Sequence, residues 1–272
     1  MTTSNDDLPE RILGWKYDLP LPNEEPTQKL NSTLLPPTPN KINNTYIEIP
    51  RSKLEIRGIG LIGGSIAMLL GLLPILTLVH TTLIEGEKIG LDFIAIILTI
   101  ITAAYWVTIP LVRLDIELPR DEPIRFNRLR QKVYFYEYRQ DRVRVLSKKH
   151  WGVRPVVYNW SDLIAEVYRL YAPMGNGGLV ENIVIAVRKT GTNEIIDRLF
   201  FSHDIEVGKQ HWEIIRLFMQ QGPDALPTFV RPPRDWDNDF ELPPIRRFAP
   251  RVQWPEAMDR ESRTGPTAGE SL

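Results

Sequence analysis

The sequence contains no cysteine, no signal-peptide pattern and no marked excess of either charge. The absence of cysteine excludes disulfides, thiolate catalysis and cysteine-ligated zinc. A formal net charge of -1 over 272 residues gives no general affinity for polyanions, so no nucleic-acid partner is expected. The first residues combine acids with prolines, where a signal peptide needs a basic region followed by an apolar run. We therefore expect no cleavable signal.

Motifs that carry catalysis or bind metals are also missing. The tripeptide Ser-His-Asp at 202–204 has the residue types of a hydrolase triad, but three consecutive side chains rarely point at one another, which favours turn and capping roles. His203 and His211 are eight residues apart and His150 stands alone, so no pair has the spacing of zinc ligands. The glycine-rich stretch 174–182 lacks the lysine and hydroxyl residue of a phosphate-binding loop. These gaps predict a protein that is not an enzyme and needs no cofactor.

Two long uncharged runs dominate the first half of the chain. Residues 58–84 form 27 consecutive positions without a formal charge, and a second uncharged run covers 93–112. A hydrocarbon core needs about 20 apolar residues, and the first run lacks the polar stripe of a soluble amphipathic helix. Two buried helices of a soluble protein are the alternative, but they would have to be two such runs only eight residues apart. The pattern predicts a transmembrane hairpin over 58–112, with helices at 58–82 and 93–112.

The charges beside these runs predict their orientation. The connection at 85–92 has one lysine and three acids, whereas four basic residues precede the first run and six follow the second. Lysine and arginine concentrate on the cytoplasmic side of membrane spans, so both termini are expected in the cytoplasm. The flanking basic residues are Lys41, Arg51, Lys53 and Arg57 before the hairpin, and Arg113, Arg120, Arg125, Arg128, Arg130 and Lys132 after it.

Small residues in the first helix suggest a packing surface. Gly60 and Gly64 are four residues apart, a spacing that lets two membrane helices approach closely. A homo-oligomer formed through Gly60 and Gly64 is therefore one possible partnership.

The rest of the chain divides by its proline content. Proline occurs 23 times and clusters at both ends, which predicts extended arms around a folded middle. The expected division is an arm at 1–57, the hairpin, a cytoplasmic α+β domain at 113–226 and an extended tail at 227–272. The last dozen residues are expected to be disordered, with the rest of the tail held to the domain by aromatic side chains. Those side chains are Trp236, Phe240, Phe248 and Trp254.

Alternating and aromatic-rich segments predict several antiparallel strands in the middle domain. Residues 130–139 are expected to form one strand, with 142–149 as its hairpin partner and 154–160 as another strand. Residues 161–171 fit either a short helix capped by Ser161 or a further strand. The TGTN sequence at 190–193 predicts a hairpin turn between two strands.

The last element of this domain is a helix. Apolar residues recur at helical spacing between 204 and 222, Asp204 is suited to cap the start, and Gly222 followed by Pro223 ends it. Several antiparallel strands followed by one amphipathic helix is the layout of a pleckstrin-homology-like antiparallel barrel with a C-terminal helix. That fold class is our expectation, and it carries no function with it.

One patch invites a binding function. Between Arg125 and Lys149 there are nine basic and only two acidic residues, interleaved with tyrosine and phenylalanine. A solvated pair of strands is the simplest interpretation. Because the patch follows a membrane span, anionic lipid headgroups are the nearest phosphates for it to contact. The residues for that contact are Arg125, Arg128, Arg130 and Lys132.

Short aromatic-rich motifs carry a resemblance. The segments PIRFNRLRQKVYFYE, VVYNWSDLIAEV and DRLFFSHDIEVGKQHWEIIRLFMQQG follow a two-span hairpin. The arrangement resembles an uncharacterised bacterial family of two-pass inner-membrane proteins associated with type VI secretion effectors. The resemblance implies a bacterial inner-membrane protein that binds a toxin or another secretion-system component, as an immunity or accessory protein. The alternative is a membrane-tethered scaffold or anionic-lipid-binding module.

Surfaces for a protein partner follow from loops and exposed aromatics, because loops often carry binding. The residues predicted to contact a partner are Gly175, Asn176, Gly177, Gly178, Trp236 and Phe240.

Overall fold

The computed structural model describes most of the chain. The described residues are 11–25, 38–51, 57–86, 88–141, 143–171, 178–229, 231–235, 237 and 247–267.

Two long helices, α1 (Ile59–Leu83) and α2 (Leu91–Glu117), form the hairpin. Both are long and apolar enough to cross a membrane. Gly64 is the single buried residue of α1, and Ile101 that of α2. A helix of this composition in a soluble protein is buried on most of its surface. The predicted helices are confirmed, and α2 continues one turn past its uncharged run into charged residues.

The two helices pack closely where α1 begins. A Cβ atom on Gly60 would lie 2.5 Å from the Leu111 carbonyl oxygen of α2, and one on Gly64 would lie 2.5 Å from Val112 Cγ2. The Asp115 carboxylate of α2 accepts hydrogen bonds from the backbone N–H of Gly58 at 3.0 Å and of Leu61 at 2.7 Å, and so caps α1. The two glycines therefore face α2 of the same chain, and this close packing is made within the hairpin.

Eleven described strands form three antiparallel sheets. The sheets have the orders β1-β9-β10-β11, β2-β3-β4-β5-β8 and β6-β7. Their bounds are β1 Trp15–Asp18, β2 Lys41–Ile42, β3 Tyr46–Ile49, β4 Ile124–Asn127, β5 Lys132–Phe135, β6 Tyr138–Arg139, β7 Gly152–Val153, β8 Val156–Asn159, β9 Leu163–Tyr171, β10 Leu179–Arg188 and β11 Ile195–Ser202.

The two larger sheets enclose one core, which helix α3 (Ile205–Gln221) completes. Trp160 packs against Phe126 at 5.8 Å between ring centroids and against Trp212 of α3 at 5.1 Å. The predicted α3 is confirmed, including its cap, because the Asp204 carboxylate accepts a hydrogen bond from the Val207 backbone N–H at 2.8 Å. Antiparallel sheets followed by a helix therefore agree with the expected α+β domain.

The predicted barrel closure is not seen. The chain passes from β8 to β9 through a 3-10 turn at Trp160–Asp162, and the described strands of the two larger sheets share no ladder. Edge strands therefore remain on both sheets, and the described strands form no closed barrel.

Segments expected to form an N-terminal arm belong to this domain. Strand β1 pairs with β9, and β3 pairs with β4, which lies beyond the hairpin in the sequence. Helix α3 holds the stretch after β1, because buried Arg216 donates to the Leu21 carbonyl at 3.0 Å and Trp212 Nε1 donates to the Pro20 carbonyl at 2.9 Å. The structure thus differs from the expected division of the chain at residue 57.

Residues 143–149 form turns, so the predicted hairpin partner of β5 is wrong. The partners of β5 are β4 and β8, and Gln131 has φ of 50° in the tight β4–β5 turn. The alternation of Val143 and Val145 resembles that of a strand. However, Arg113 Nη1 donates to the Val145 carbonyl at 2.6 Å, so that carbonyl is not free to accept a hydrogen bond from a neighbouring strand. Residues 163–171 form β9, so the strand alternative for that segment is confirmed.

The tail ends in a helix that proline content did not predict. Helix α4 (Glu256–Arg263) follows Pro255, and Ser262 within it is fully buried. The expected disorder of the last dozen residues is therefore wrong for 261–267, while 268–272 lie outside the described residues. Phe248, expected to tack the tail down, is 87% exposed.

Close packing of the hairpin predicts different outcomes for neighbouring glycines. Gly60→Ala forces a Cβ against a backbone carbonyl of α2, so α1 and α2 must separate. We expect a melting temperature several degrees lower for the detergent-solubilised full-length protein. Gly63→Ala is the control, because a Cβ there meets nothing within 4 Å, and alanine favours helix by roughly 1 kcal/mol over glycine. Equal melting temperatures for the two variants would contradict the packing.

Candidate functional site: the C-terminal cleft and the hairpin end

The predicted basic patch is covered by the C-terminal segment. Arg125, on β4, has a side chain only 5% exposed and forms ion pairs with Glu48 at 2.5 Å and with Asp259 of α4 at 2.6 Å. Its guanidinium also lies 4.5 Å from the ring centroid of Trp254 and donates to Ser262 Oγ at 2.9 Å. The neighbouring carboxylates raise the pKa of Arg125, while burial opposes them as the largest single effect. Arg125 therefore fixes α4 to the sheet as a permanent cation.

The other residues of the patch also contact this protein itself. Arg130 donates to the carbonyl oxygens of Thr264 at 3.0 Å and of Gly265 at 2.8 Å. Lys132 pairs with Glu261 at 2.9 Å, and Arg128 packs against Gly222 at the end of α3. Arg125, Arg130 and Lys132 thus contact the C-terminal segment and Arg128 contacts the end of α3, although the Lys132 side chain is still 39% exposed.

Loss of the Asp259 carboxylate is expected to loosen α4. Asp259→Asn removes a charge that faces a buried guanidinium, and such charged hydrogen bonds contribute about 1.5–3 kcal/mol. We expect hydrogen exchange across 256–263 to become at least about tenfold faster. Glu256→Gln is the matched control on the same helix, because its side chain is 95% exposed and reaches only Arg260. Unchanged exchange in the Asp259 variant would show that α4 is held by other contacts.

A cleft of about 420 Å³ lies between the five-stranded sheet and the C-terminal segment. Its floor contains Asn40, whose Nδ2 donates to Glu48 Oε1 at 3.1 Å and to Asp121 Oδ2 at 2.9 Å. Two carboxylates on one amide nitrogen fix the orientation of the side chain. Among the described residues, the buried Asn40 Oδ1 and Trp254 Nε1 have no hydrogen-bond partner. Both atoms are buried, so they are unsatisfied polar groups of the cleft wall rather than contacts open to a ligand.

Asp121 is the titratable centre of the cleft. Burial raises the pKa of its carboxyl to about 6, against the lowering effect of hydrogen bonds from Asn40 and from the Arg51 and Glu122 backbone N–H groups. The described residues contain no group of three or more His, Asp or Glu side chains that could hold a metal ion. The sequence did not predict this cleft, because four of its lining residues lie in the segment expected to be an arm.

The raised pKa of Asp121 sets a direction for stability against pH. The folded protein holds this proton up to about pH 6, whereas an unfolded aspartate loses it near 3.9. The wild type therefore loses stability as pH rises from about 4 to about 6. The Asp121→Asn variant has no carboxyl to titrate and so lacks that loss. Its free energy of unfolding relative to wild type should therefore rise over this pH range. A pKa difference of about 2 units at 1.36 kcal/mol per unit gives a rise of about 3 kcal/mol. Thermal unfolding of the full chain across this pH range measures the difference.

Asp141 supplies a control of opposite sign. Hydrogen bonds from the backbone N–H groups of Arg144 and Val143 lower the pKa of its carboxyl. It therefore stabilises the fold above the unfolded pKa, and this contribution disappears as pH falls. Asp141→Asn should lose stability mainly above about pH 4. Parallel pH profiles for wild type and the Asp121 variant would contradict the buried titration.

Among the described residues, the β9–β10 hairpin extends beyond the strands that flank it. Bridge pairing of β1 with β9 ends at Tyr168, and that of β11 with β10 ends at Ile183. Beyond these points residues 169–171 and 179–182, called the hairpin end below, pair with each other, apart from one bond from Arg169 N–H to the Gly14 carbonyl at 2.8 Å.

The hairpin end has apolar side chains on both faces. Leu170 lies opposite Val180, and Tyr171 lies opposite Leu179; successive strand residues alternate between faces. The four side chains are 43%, 42%, 67% and 52% exposed, respectively. A solvated hairpin normally has at least one polar face, so this surface is unusual.

Other predicted site residues have structural roles or lie elsewhere. Ser202 Oγ and the Asp204 backbone bond to each other, and His203 stacks on Phe200, so 202–204 is a turn and cap as expected. His211, on α3, is only 5% exposed. Gly178 is half-buried and directly precedes Leu179, on the loop side of the hairpin end. The remaining predicted contacts, Gly175, Asn176, Gly177, Trp236 and Phe240, lie outside the described residues.

Comparison with known families adds one match. The model of a family of unknown function, DUF6708, matches residues 101–266, which is more than half of the chain. The chain belongs to this family. The DUF6708 match begins within α2 and ends beyond α4, so it includes the C-terminal segment that covers Arg125. No curated protein and no solved structure matched the chain.

Proposed function

We propose that this protein is a membrane-anchored binding protein without enzymatic activity, and that it binds a partner protein at the hairpin end. The observation that carries the proposal is the projecting strand pair with exposed apolar side chains on both faces. Exposed apolar patches of this kind mark interaction sites.

The backbone of the hairpin end supports binding by strand addition. Beyond Tyr168 and before Ile183 the outer edges of β9 and β10 are not bridged to neighbouring described strands. Such edges hydrogen-bond readily to an added strand, with the alternate side chains giving specificity. A partner with an extended, apolar segment fits both properties.

The membrane anchor rests on α1 and α2. Their side chains are apolar and mostly exposed, as lipid-facing helices require. The β3–β4 pairing joins a strand before the hairpin to one after it, which supports both flanks on one side of the membrane. The distribution of basic residues supports the cytoplasm as that side, with the short 85–92 connection opposite.

The proposed partner is the one that the family resemblance implies, a toxin of a type VI secretion system in a bacterial inner membrane. A domain on the cytoplasmic side reaches a toxin that acts in the cytoplasm or on the inner leaflet, which fits immunity. A toxin that attacks the cell wall would meet only the 85–92 connection, and for such a toxin an accessory role before export fits better. We also propose that the antiparallel sheets and α3 are an open variant of the pleckstrin-homology-like arrangement. Such an arrangement supplies edge strands and a helix for binding rather than an active site.

The anionic-lipid alternative has less support at the patch first predicted for it. Arg125, Arg130 and Lys132 are bound to the C-terminal segment. A partner protein at the hairpin end is therefore the better-supported function.

Polar substitution of the hairpin end is expected to abolish partner binding. The double variant Tyr171→Ser/Leu179→Ser removes one apolar face, and central aromatic and apolar contacts dominate the energy of interfaces. We expect recovery of the copurifying partner from the native host to fall at least about tenfold. The measurement is quantitative mass spectrometry after affinity capture of the gently solubilised full-length protein.

Ile196→Ser on edge strand β11 is the matched control, because Ile196 and Leu179 are both 52% exposed. Equal loss in both variants, or no loss in the double variant, would overturn the hairpin end as the site. If the partner is a toxin, its expression in cells that lack this protein distinguishes immunity, where the cells die, from an accessory role, where they survive.

A further inference from the structure

The loop at 143–151 exposes two apolar side chains among basic ones. Val143 and Leu146 are each 73% exposed. Arg144, Lys148 and Lys149 are exposed beside them. An apolar pair surrounded by cations is the composition of a surface that lies at a membrane interface.

The 143–151 loop is firmly built. The Asp141 carboxylate accepts hydrogen bonds from the backbone N–H groups of Val143 at 2.9 Å and Arg144 at 3.1 Å. Trp151 Nε1 donates to the Asp141 carbonyl at 2.9 Å, which closes the loop. Val145 is 1% exposed between the two exposed apolar residues. The exposure of Val143 and Leu146 is therefore imposed by a fixed backbone, with the intervening side chain turned inward.

Helix α2 fixes the position of this loop. Arg113 is the first charged residue after the uncharged run that ends at Val112. Its Nη1 donates to the Val145 carbonyl at 2.6 Å, and its guanidinium lies 4.5 Å from the ring centroid of Trp151. The loop is thus attached to α2 at the point where the helix changes from apolar to charged.

We propose that the 143–151 loop is a second membrane contact, with Val143 and Leu146 inserted among lipid headgroups and Lys148 and Lys149 bound to anionic phosphates. The inference rests on the proposed bilayer crossing by α1 and α2, because that crossing places Arg113 at the lipid–water boundary. The occupant is the bilayer itself. Such a contact fixes the tilt of the domain on the membrane and so the direction in which the hairpin end faces.

The loop belongs to the basic stretch 125–149 of the sequence, but it lies apart from the four residues predicted for lipid contact, which are Arg125, Arg128, Arg130 and Lys132. Strands β4 and β5 pair from Ile124↔Phe135, next to α2, to Asn127↔Lys132. The turn that carries Arg128 and Leu129 follows the Asn127↔Lys132 pair, at the end of these strands that is away from the point where α2 leaves the membrane. Leu129 is 40% exposed there and gives a leucine control on the same domain.

The absence of cysteine makes a site-directed test straightforward. Single-cysteine variants Leu146→Cys, Leu129→Cys and Leu73→Cys of the full chain carry an environment-sensitive fluorophore in nanodiscs. Leu73 is 55% exposed in the middle of α1. Lipids with a nitroxide quencher near the headgroup or deep in the acyl chain then report the depth of each label.

The expected result is deep quenching at residue 73, shallow quenching at 146 and at least about fivefold weaker quenching at 129, the factor that about 1 kcal/mol of membrane contact produces. Quenching at 73 with none at 146 would overturn the loop contact and leave the membrane hairpin intact. No quenching at 73 would overturn the hairpin and the loop contact together. Val143→Cys repeats the test if the label at 146 disturbs folding.

Lipid composition tests the charges. Nanodiscs that contain phosphatidylglycerol should quench residue 146 more than nanodiscs of phosphatidylcholine, and Lys148→Gln/Lys149→Gln should remove the difference. Equal quenching in the two lipids would overturn the role assigned to the two lysines. If residue 146 were quenched only after a partner protein was added to the nanodiscs, and not by the labelled lipid alone, the membrane contact would be overturned.

Discussion

Two buried arginines, Arg51 and Arg57, lie where the helical hairpin α1–α2 meets the rest of the protein. The geometry of the whole protein depends on them. A guanidinium cannot lose its proton and has five N–H donors, so burial requires that acceptors surround it. Arg51, 2% exposed, donates to the carbonyl oxygens of Phe200 at 2.6 Å and Tyr136 at 3.2 Å, and pairs with Glu137 at 2.6 Å. It joins the five-stranded sheet to the edge of the four-stranded one just before the chain enters α1.

Arg57 repeats the arrangement at the helices themselves. It is 8% exposed and donates to the Leu118 carbonyl at 2.6 Å and to the Pro119 carbonyl at the end of α2. Together with Asp115, which caps α1 from α2, it closes the hairpin at the level of the domain. Arg51 thus joins the two larger sheets, whereas Arg57 and Asp115 join the start of α1 to the end of α2. Arg51 and Arg57 are also two of the four basic residues before α1 that were counted in the prediction of membrane orientation.

The elements that the sequence predicted well are those specified by local pattern. Both long helices, the β10–β11 hairpin and α3 with its Asp204 cap follow from uninterrupted apolar runs, a turn signal and helical spacing.

The errors arose where pairing is long-range. Nothing within residues 15–18 or 46–49 indicates that their partners lie more than 70 positions away, and proline-rich flanks suggested an arm. The cleft was missed for the same reason, because Asn40 and Asp121 meet only through the β3–β4 pairing. The basic patch was identified as a cluster, but the acids that cover it come from 259 and 261, in a tail whose prolines concealed a short helix.

The β3–β4 pairing also has a consequence for how the protein is made. Strands β1 and β3 leave the ribosome before α1, while their partners β9 and β4 follow α2. β2 and β3 can pair with each other at once, but β1 and the β3 edge that faces β4 must wait until the residues after α2 are synthesised. Exposed strands at that stage are prone to aggregation. The strands are short and have prolines around them. Both features discourage pairing with other chains until the correct partner strand is synthesised.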